Sequence, residues 1–296
     1  MKKYFIFIFK IFVSVSLVYF VFTKVSFRDI TNTLANIKIF YFFIGLFLSI
    51  IALYISTFKW KLLLDHLGAR QKISSLFILN LIGAFYSSFL PGGFIAGDVM
   101  KSYKSLGMHK EKKKVILPIF LDRAVGLVAS VFLGFVGLFL TKTFIDEYGI
   151  ILKFFLLLVS GSAVFIFLLV APFNKFFVFY RRAHKTIGLS LFYGACFHLL
   201  YAVVIYLFSQ SVGLQISFFD IFWITAIVNL AIAVPVTFMG LGIREISFIY
   251  VLGLIGVSAT VATSLSLLIF FSTLVIGLAG GSVELYHLFS RFRAKK

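Results

Sequence analysis

The sequence predicts an all-α, polytopic membrane protein with about six spanning helices and two re-entrant helical hairpins, all within one transmembrane domain over residues 1–296. Three observations support this prediction. Hydrophobic residues make up 61% of the chain and aromatic residues 19%, whereas soluble domains are about 45–50% apolar. The apolar residues form runs of about 20, the length that a helix needs to cross a bilayer. The net charge is +18 and the cations concentrate between those runs, as expected for loops facing anionic lipid.

The apolar runs are interpreted as helices, because they show no alternating pattern and backbone groups cannot stay unpaired in lipid. The first run resembles a signal peptide, but Lys10 interrupts it and no small-residue cleavage site follows. We therefore interpret it as a retained helix. A shorter apolar piece covers about 243–257. The runs themselves are about 5–22, 39–58, 74–90, 115–141, 150–171, 187–208, 217–239 and 259–288.

The distribution of lysine and arginine predicts the orientation. The N-terminus and the C-terminus are both basic, so both are predicted to be cytoplasmic in a multi-pass protein of the cytoplasmic (inner) membrane. The loop after the second run is also assigned to the cytoplasmic side, since it is counted as holding Lys59, Lys61, Arg70 and Lys72. The segment 210–217 carries no cation and is assigned to the outside.

The first re-entrant hairpin is predicted over about 74–99. If the run 74–90 spanned the membrane, segment 101–114 would lie outside, although it holds six lysines, the densest cationic run of the chain. A turn at Pro91, Gly92 and Gly93 removes this conflict by returning the chain to the side that it entered. Glycine permits the positive φ of a tight turn, and proline ends the helical hydrogen bonding.

A second re-entrant hairpin is predicted over about 217–257, entering from the outside and turning at Gly240 and Gly242. Three separate crossings also satisfy the topology, but the piece 243–257 is then too short for a span. Both hairpins contain an Asn-Leu pair, at Asn80 and Asn229, and reach their glycines about ten residues later. This likeness favours an inverted repeat with broken helices, a plan that recurs in transporters.

Charged residues beside the first turn form the candidate site. Asp98 and Lys101 are three residues apart and share a helix face, so they are expected to pair unless they lie in a solvated loop. Asp122 and Arg123 follow seven apolar residues, about 10 Å past the apolar edge. Adjacent helical residues do not face each other, so each needs another partner. Arg123 can alternatively extend to the headgroup region, but Asp122 is too short to do so.

Arg244 and Glu245 are the candidates beside the second turn. An arginine in a low-dielectric cavity suits a phosphate group bidentately, so Arg244 and Arg123 are the leading candidates for headgroup ligands. Glu245 has an alternative role as a cap at a helix N-terminus. Glu284, near the end of the last apolar run, is expected at the membrane interface.

Four stretches of the sequence resemble a flippase-like membrane family named for the transmembrane region of lysylphosphatidylglycerol synthases. They occur in the family's order and cover nearly the whole chain. Relative to the family pattern, the first has extra residues before Asp98 and a lysine, Lys101, where arginine is usual, which weakens bidentate phosphate binding there. The stretches are PGGFIAGDVMK (91–101), DRAVGL (122–127), GLGIRE (240–245) and GVSATVATSLSLL (256–268).

The resemblance implies lipid handling, as in the membrane part of the multiple peptide resistance factor but without its soluble synthase domain. The leading hypothesis is a transporter that moves or binds an anionic, aminoacylated or lipid-linked sugar headgroup. The alternatives are a membrane enzyme of lipid or lipid-linked glycan modification, with Asp98 or Asp122 as base, and a non-catalytic partner of such an enzyme. The expected partners are a membrane lipid and either a second copy or a separate synthase, and not nucleic acid.

No catalytic motif such as GxSxG, HExxH or a Walker A loop occurs in the sequence. The single cysteine, Cys196, excludes a disulfide framework, and no Cys/His spacing suits zinc. The sequence therefore favours transport over catalysis and predicts neither a metal nor a cofactor.

Overall fold

The computed structural model describes residues 2–90, 93–107, 112–141, 173–233, 237 and 240–293, and this part of the chain is all-helical. The predicted span 150–171 and the turn residues Pro91 and Gly92 lie outside it. The helices are α1 (Lys2–Lys24), α2 (Phe27–Ala35), α3 (Ile39–His66), α4 (Ile73–Phe89), α5 (Phe94–Leu106), α6 (Lys112–Leu140), α7 (Phe173–Ser211), α8 (Phe218–Ala233), α9 (Ile243–Gly253) and α10 (Ala259–Arg293).

Four helices in the described part are long and apolar enough to cross a membrane, so the chain has the architecture of a multi-pass helical membrane protein. They lie within α3, α6, α7 and α10, and their apolar segments are Ile39–His66, Lys114–Leu140, Ala183–Ser211 and Ala259–His287. Helix α3 continues past the predicted apolar run 39–58, and one face of its last two turns is buried, at Lys59, Trp60, Leu63 and Leu64. The prediction that Lys59 lies in a loop is therefore wrong.

Helices α3 and α7 lie side by side and run antiparallel. At one end, Lys38 N–H donates to the carbonyl oxygen of Ser211 at 2.9 Å. At the other end, the Thr186 hydroxyl lies 3.2 Å from His66 Nδ1. These contacts define two ends of the bundle, which we name the His66 end and the Ser211 end.

The first pair of short helices, α4 and α5, starts and finishes at the His66 end. Gln71 Nε2, just before α4, donates to Ser105 Oγ in the last turn of α5 at 2.7 Å. Gly93 caps the N-terminus of α5 with a φ of 54°, a conformation that glycine adopts without strain. The two helices approach closely where Gly97 lies against the backbone of Gly83, since a Cβ at Gly97 has no room.

The second pair, α8 and α9, starts and finishes at the Ser211 end. Helix α8 begins seven residues after Ser211. Helix α10 begins six residues after α9 ends, and its other end lies at the His66 end, where Glu284 pairs with Lys104. The two turn glycines that the sequence singled out both have positive φ, 73° at Gly240 and 84° at Gly242. Gly242 caps the N-terminus of α9 as Gly93 caps that of α5, and each lies thirteen residues after the asparagine of its pair.

The helix contacts follow a two-fold scheme in which α3–α6 correspond to α7–α10. Each group reads long, short, short, long. Helix α4 packs along α10, and its counterpart α8 packs along α6. Both contacts depend on glycine: Gly280 of α10 lies against the backbone of Leu81, and a Cβ at Gly137 of α6 would lie 2.6 Å from the carbonyl oxygen of Phe219. In each pair, the first short helix therefore packs along the long helix that closes the other group.

Candidate functional site

The centre of the candidate site is the Asp98 carboxylate, which two cations contact together. Arg123 Nε donates to Asp98 Oδ2 at 2.8 Å, and Arg123 Nη2 donates to Oδ1 at 2.9 Å. Lys101 Nζ lies 3.1 Å from the same Oδ1 atom. The predicted i,i+3 pairing of Asp98 with Lys101 is thus present in the structure. Asp98 and Lys101 belong to α5 and Arg123 to α6, so this contact ties the first short pair to a long helix.

A second ion pair lies beside the first and joins α3 to α6. Lys59 Nζ is 3.2 Å from Asp122 Oδ1 and donates to the backbone oxygen of the same residue at 2.9 Å. Glycine provides the space for the ammonium group, since a Cβ at Gly126 would lie 3.1 Å from Lys59 Nζ. Asp122 and Gly126 are one helical turn apart on α6, so they present the carboxylate and the gap on one face.

Neutral groups hold Lys101 from the opposite side. Its Nζ donates to Asn80 Oδ1 at 3.3 Å, and Asn80 Nδ2 donates to Thr57 Oγ1 at 2.9 Å. The Lys101 ammonium also lies 5.1 Å from the centroid of the Trp60 ring, a cation–π arrangement. The position of Lys101 is therefore fixed by α3 and α4 as well as by Asp98.

These five ionised residues form one group, which we name the Asp98 cluster: Lys59, Asp98, Lys101, Asp122 and Arg123. Three cations face two carboxylates, so the formal charge of the cluster is +1. Burial is uneven, because the side chain of Arg123 is 42% exposed whereas that of Lys101 is 10% exposed. An anion that approaches the cluster therefore meets Arg123 first.

Arg244 and Glu245 form a separate, internally neutral group at the start of α9. Arg244 Nη2 lies 2.7 Å from Glu245 Oε1, and Arg244 Nε donates to Ser266 Oγ of α10 at 3.0 Å. Glu245 Oε2 accepts the backbone N–H of Gly242 at 2.6 Å. The capping role foreseen for Glu245 is thus present, and both charged side chains are buried.

Glu284 of α10 is buried between helices, and its predicted position at the membrane interface stays a prediction. Its Oε1 atom lies 2.7 Å from Lys104 Nζ of α5 and accepts the Tyr86 hydroxyl of α4 at 3.2 Å. The packing of the first short pair against α10 supplies both partners. Glu284 therefore links both helices of that pair to α10.

A comparison with known protein families matches the family described as Lysylphosphatidylglycerol synthase TM region over residues 7–281. The chain belongs to this family. A search of curated proteins finds no match. The chain's long apolar helices and its membership of the lysylphosphatidylglycerol synthase TM region family together indicate a membrane protein of lipid modification or transport.

The stretches that resemble the lysylphosphatidylglycerol synthase TM region family fall at the two ion groups. The stretch 122–127 supplies Asp122, Arg123 and the gap at Gly126. The stretch 240–245 supplies Gly242 with Arg244 and Glu245. Within the described residues, no group of three or more His, Cys, Asp or Glu side chains is arranged to hold a metal ion.

Sequence reasoning did not identify three of the side chains that contact the charged residues described above. Lys59 was counted as a loop cation, Asn80 as a marker of the repeat, and Lys104 as a member of a cationic run. The only signal for Lys59 was indirect, since Asp122 needed a partner that Arg123 did not supply. The prediction that Asp98, Lys101, Asp122, Arg123, Arg244 and Glu245 bind substrate stays a prediction.

Proposed function

We propose that this protein is a flippase-like lipid transporter that binds an anionic or aminoacylated headgroup, or that of a lipid-linked sugar, at the Asp98 cluster. The observation that carries this proposal is the positive surplus of a mostly buried cluster. A single charge at mid-bilayer costs about 2.5–3.5 kcal/mol on insertion scales, so ionised groups there are retained for function. An anionic headgroup neutralises the surplus while its acyl chains stay in lipid.

The route across the membrane involves the two short helix pairs. Helix α4 has 17 residues and α5 has 13, which correspond to about 26 Å and 20 Å at 1.5 Å per residue. Both are shorter than the hydrocarbon core of about 30 Å. We propose that the pairs re-enter the cytoplasmic membrane from opposite faces as an inverted repeat, with the His66 end cytoplasmic. The turns of the two pairs then lie near the midplane, as in other transporters with broken helices.

A proteoliposome assay tests the transport proposal. Purified protein is reconstituted with fluorescent phosphatidylglycerol, and loss of fluorescence on adding an impermeant quencher reports headgroups that reach the outer leaflet. Arg123→Gln is expected to slow this exchange at least about tenfold, since it removes a bidentate donor. Arg70→Gln makes the same change at an exposed position and is expected to leave the rate unchanged.

The identity of the recovered lipid separates transport from catalysis. Mass spectrometry of the vesicles is expected to return the labelled lipid unmodified. A chemically converted lipid supports the enzyme alternative. If Arg123→Gln exchanges lipid as fast as the wild type, the proposal that the headgroup binds at the Asp98 cluster is wrong.

Single-cysteine labelling tests the re-entrant arrangement. Four exposed positions are changed one at a time to cysteine in a Cys196→Ser background: Arg70 and Gly107 flank the first short pair, and Gln215 and Ser258 flank the second. An impermeant maleimide added to intact cells is expected to label 215 and 258 but not 70 or 107. Labelling that differs between the two positions of one pair contradicts re-entry of that pair.

A further inference from the structure

The Asp98 carboxylate takes up the donors that an anionic headgroup needs. Its two oxygens accept Nε and Nη2 of Arg123 at 2.8 and 2.9 Å, and Oδ1 also lies 3.1 Å from Lys101 Nζ. A guanidinium binds carboxylate and phosphate through the same pair of parallel N–H bonds. Asp98 and a phosphate group therefore compete for the same two donors, Nε and Nη2 of Arg123.

The other carboxylate of the cluster does not compete in this way. Asp122 is paired with Lys59 between α3 and α6, where both side chains are at most 12% exposed. Without that pair, Asp98, Lys101 and Arg123 retain a formal charge of +1. A phosphate diester carries one negative charge and so neutralises Lys101 and Arg123 together with Asp98.

The competition also involves the helices, because Asp98 lies on α5 and Arg123 on α6. When phosphate takes these two donors, Asp98 keeps Lys101 as its counterion through the i,i+3 contact within α5. The ion pair between α5 and α6 is then broken, while the pair between α3 and α6 remains. Headgroup binding thus loosens the first short pair from the long helix beside it.

We infer that Asp98 is an internal substitute for the phosphate of the headgroup: it accepts the Nε and Nη2 donors of Arg123 when no headgroup is bound, and a phosphate-bearing ligand displaces it. This inference rests on the proposed function and assigns Asp98 a role opposite to that of a ligand for the lipid. Removing its charge should therefore strengthen lipid binding, whereas removing a true ligand weakens it.

Binding measurements on the full-length protein in detergent test the inference. The probes are dihexanoyl phosphatidylglycerol and inorganic phosphate, titrated separately. Asp98→Asn is expected to bind phosphatidylglycerol about tenfold more tightly than the wild type, because a charge that repels the phosphate is gone. Asp98→Ser, which also lacks the charge, is the second variant if Asp98→Asn does not fold.

Three further variants separate a specific effect of the Asp98 carboxylate from a general effect of the protein's net charge. Asp65→Asn removes a negative charge from the partly exposed Lys61–Asp65 pair and is expected to leave the affinity unchanged. Asp98→Glu keeps the carboxylate and is expected to stay within about threefold of the wild type. Arg123→Gln is expected to lose at least about tenfold in affinity.

The outcomes separate this inference from the proposed function. If Arg123→Gln binds weakly and neither neutral variant at position 98 binds more tightly, the substitute role is wrong and the headgroup site stands. If the variants at 98 and 123 all bind like the wild type, the headgroup site itself is wrong. A gain with phosphatidylglycerol alone identifies the ligand as lipid, and an equal gain with inorganic phosphate identifies it as the phosphate group; both support the inference.

Discussion

Replacing Lys59 by methionine tests the buried ion pair that sequence reasoning missed. Methionine fills much of the volume of the lysine stem, so the change removes the ammonium with little loss of packing. Asp122 then loses a contact of 3.2 Å to its carboxylate and one of 2.9 Å to its backbone oxygen. Its side chain is only 12% exposed, so water cannot fully replace the cation. Removing one partner of such a pair costs about 3–5 kcal/mol.

A double-mutant cycle measures this loss in mixed micelles, by titrating the protein with a denaturing detergent and recording its helix content. Lys59→Met is expected to lower the free energy of unfolding by about 3–5 kcal/mol. Adding Asp122→Asn to it is expected to recover most of the loss, because neutral side chains of similar volume replace buried ion pairs at little cost.

Lys61 provides a matched control two residues further along α3. It pairs with Asp65, and both side chains are about 30% exposed, so Lys61→Met is expected to cost no more than about 1 kcal/mol. A loss in Lys59→Met as small as that in Lys61→Met would refute the buried pair. So would a double variant whose loss equals the sum of the two single losses.

Two further predictions concern the packing of the first short pair against α10, and the same unfolding titration measures both. Gly280→Ala is expected to cost about 1–3 kcal/mol, because the added Cβ collides with the backbone of Leu81. Gly188→Ala, whose Cβ meets nothing within 4 Å, is expected to be neutral or stabilising, and equal effects would contradict this packing. Lys104→Met is expected to cost about 3 kcal/mol by isolating the buried Glu284 carboxylate. Adding Glu284→Gln should recover most of that loss, and additive losses would contradict the pairing.

Helical spacing and glycine conformation were sufficient to predict the features that depend on residues close together in the sequence. Helical spacing predicted the contact between Asp98 and Lys101, which the structure contains at 3.1 Å. Glycine conformation predicted the turns, and Gly93 and Gly242 have the positive φ that a turn requires. The membership of the lysylphosphatidylglycerol synthase TM region family was also readable, because its stretches include these turns and charges.

The ion pairs between helices that are far apart in the sequence were not predictable from local rules. Lys59 directly follows an apolar run and lies among other basic residues, so the sequence suggests a loop. Only the packing of α3 against α6 places it beside Asp122. The position of Glu284 in the sequence does not indicate the Lys104 partner that α5 supplies. Burial of a charge depends on which helices approach, so one chain position taken alone does not reveal it.

Arg244 and Glu245 show the limit of a rule that works elsewhere. Adjacent residues in the middle of a helix point apart, and Asp122 and Arg123 accordingly have different main partners. Arg244 and Glu245 pair with each other because they lie in the first turn of α9. There Glu245 folds back to accept the Gly242 N–H and brings its carboxylate toward the guanidinium.

The two short helix pairs occupy equivalent places in the fold but differ in charge. Each packs along the long helix that closes the other half of the two-fold scheme, α4 along α10 and α8 along α6. The first pair contributes to a cluster with a surplus cation and a 42% exposed Arg123 side chain. In the second pair, Arg244 and Glu245 cancel each other within 2.7 Å. Arg244 thus has its own counterion, whereas the Asp98 cluster keeps a formal charge of +1. The repeat therefore extends to the packing of the helices but not to the charge of their side chains.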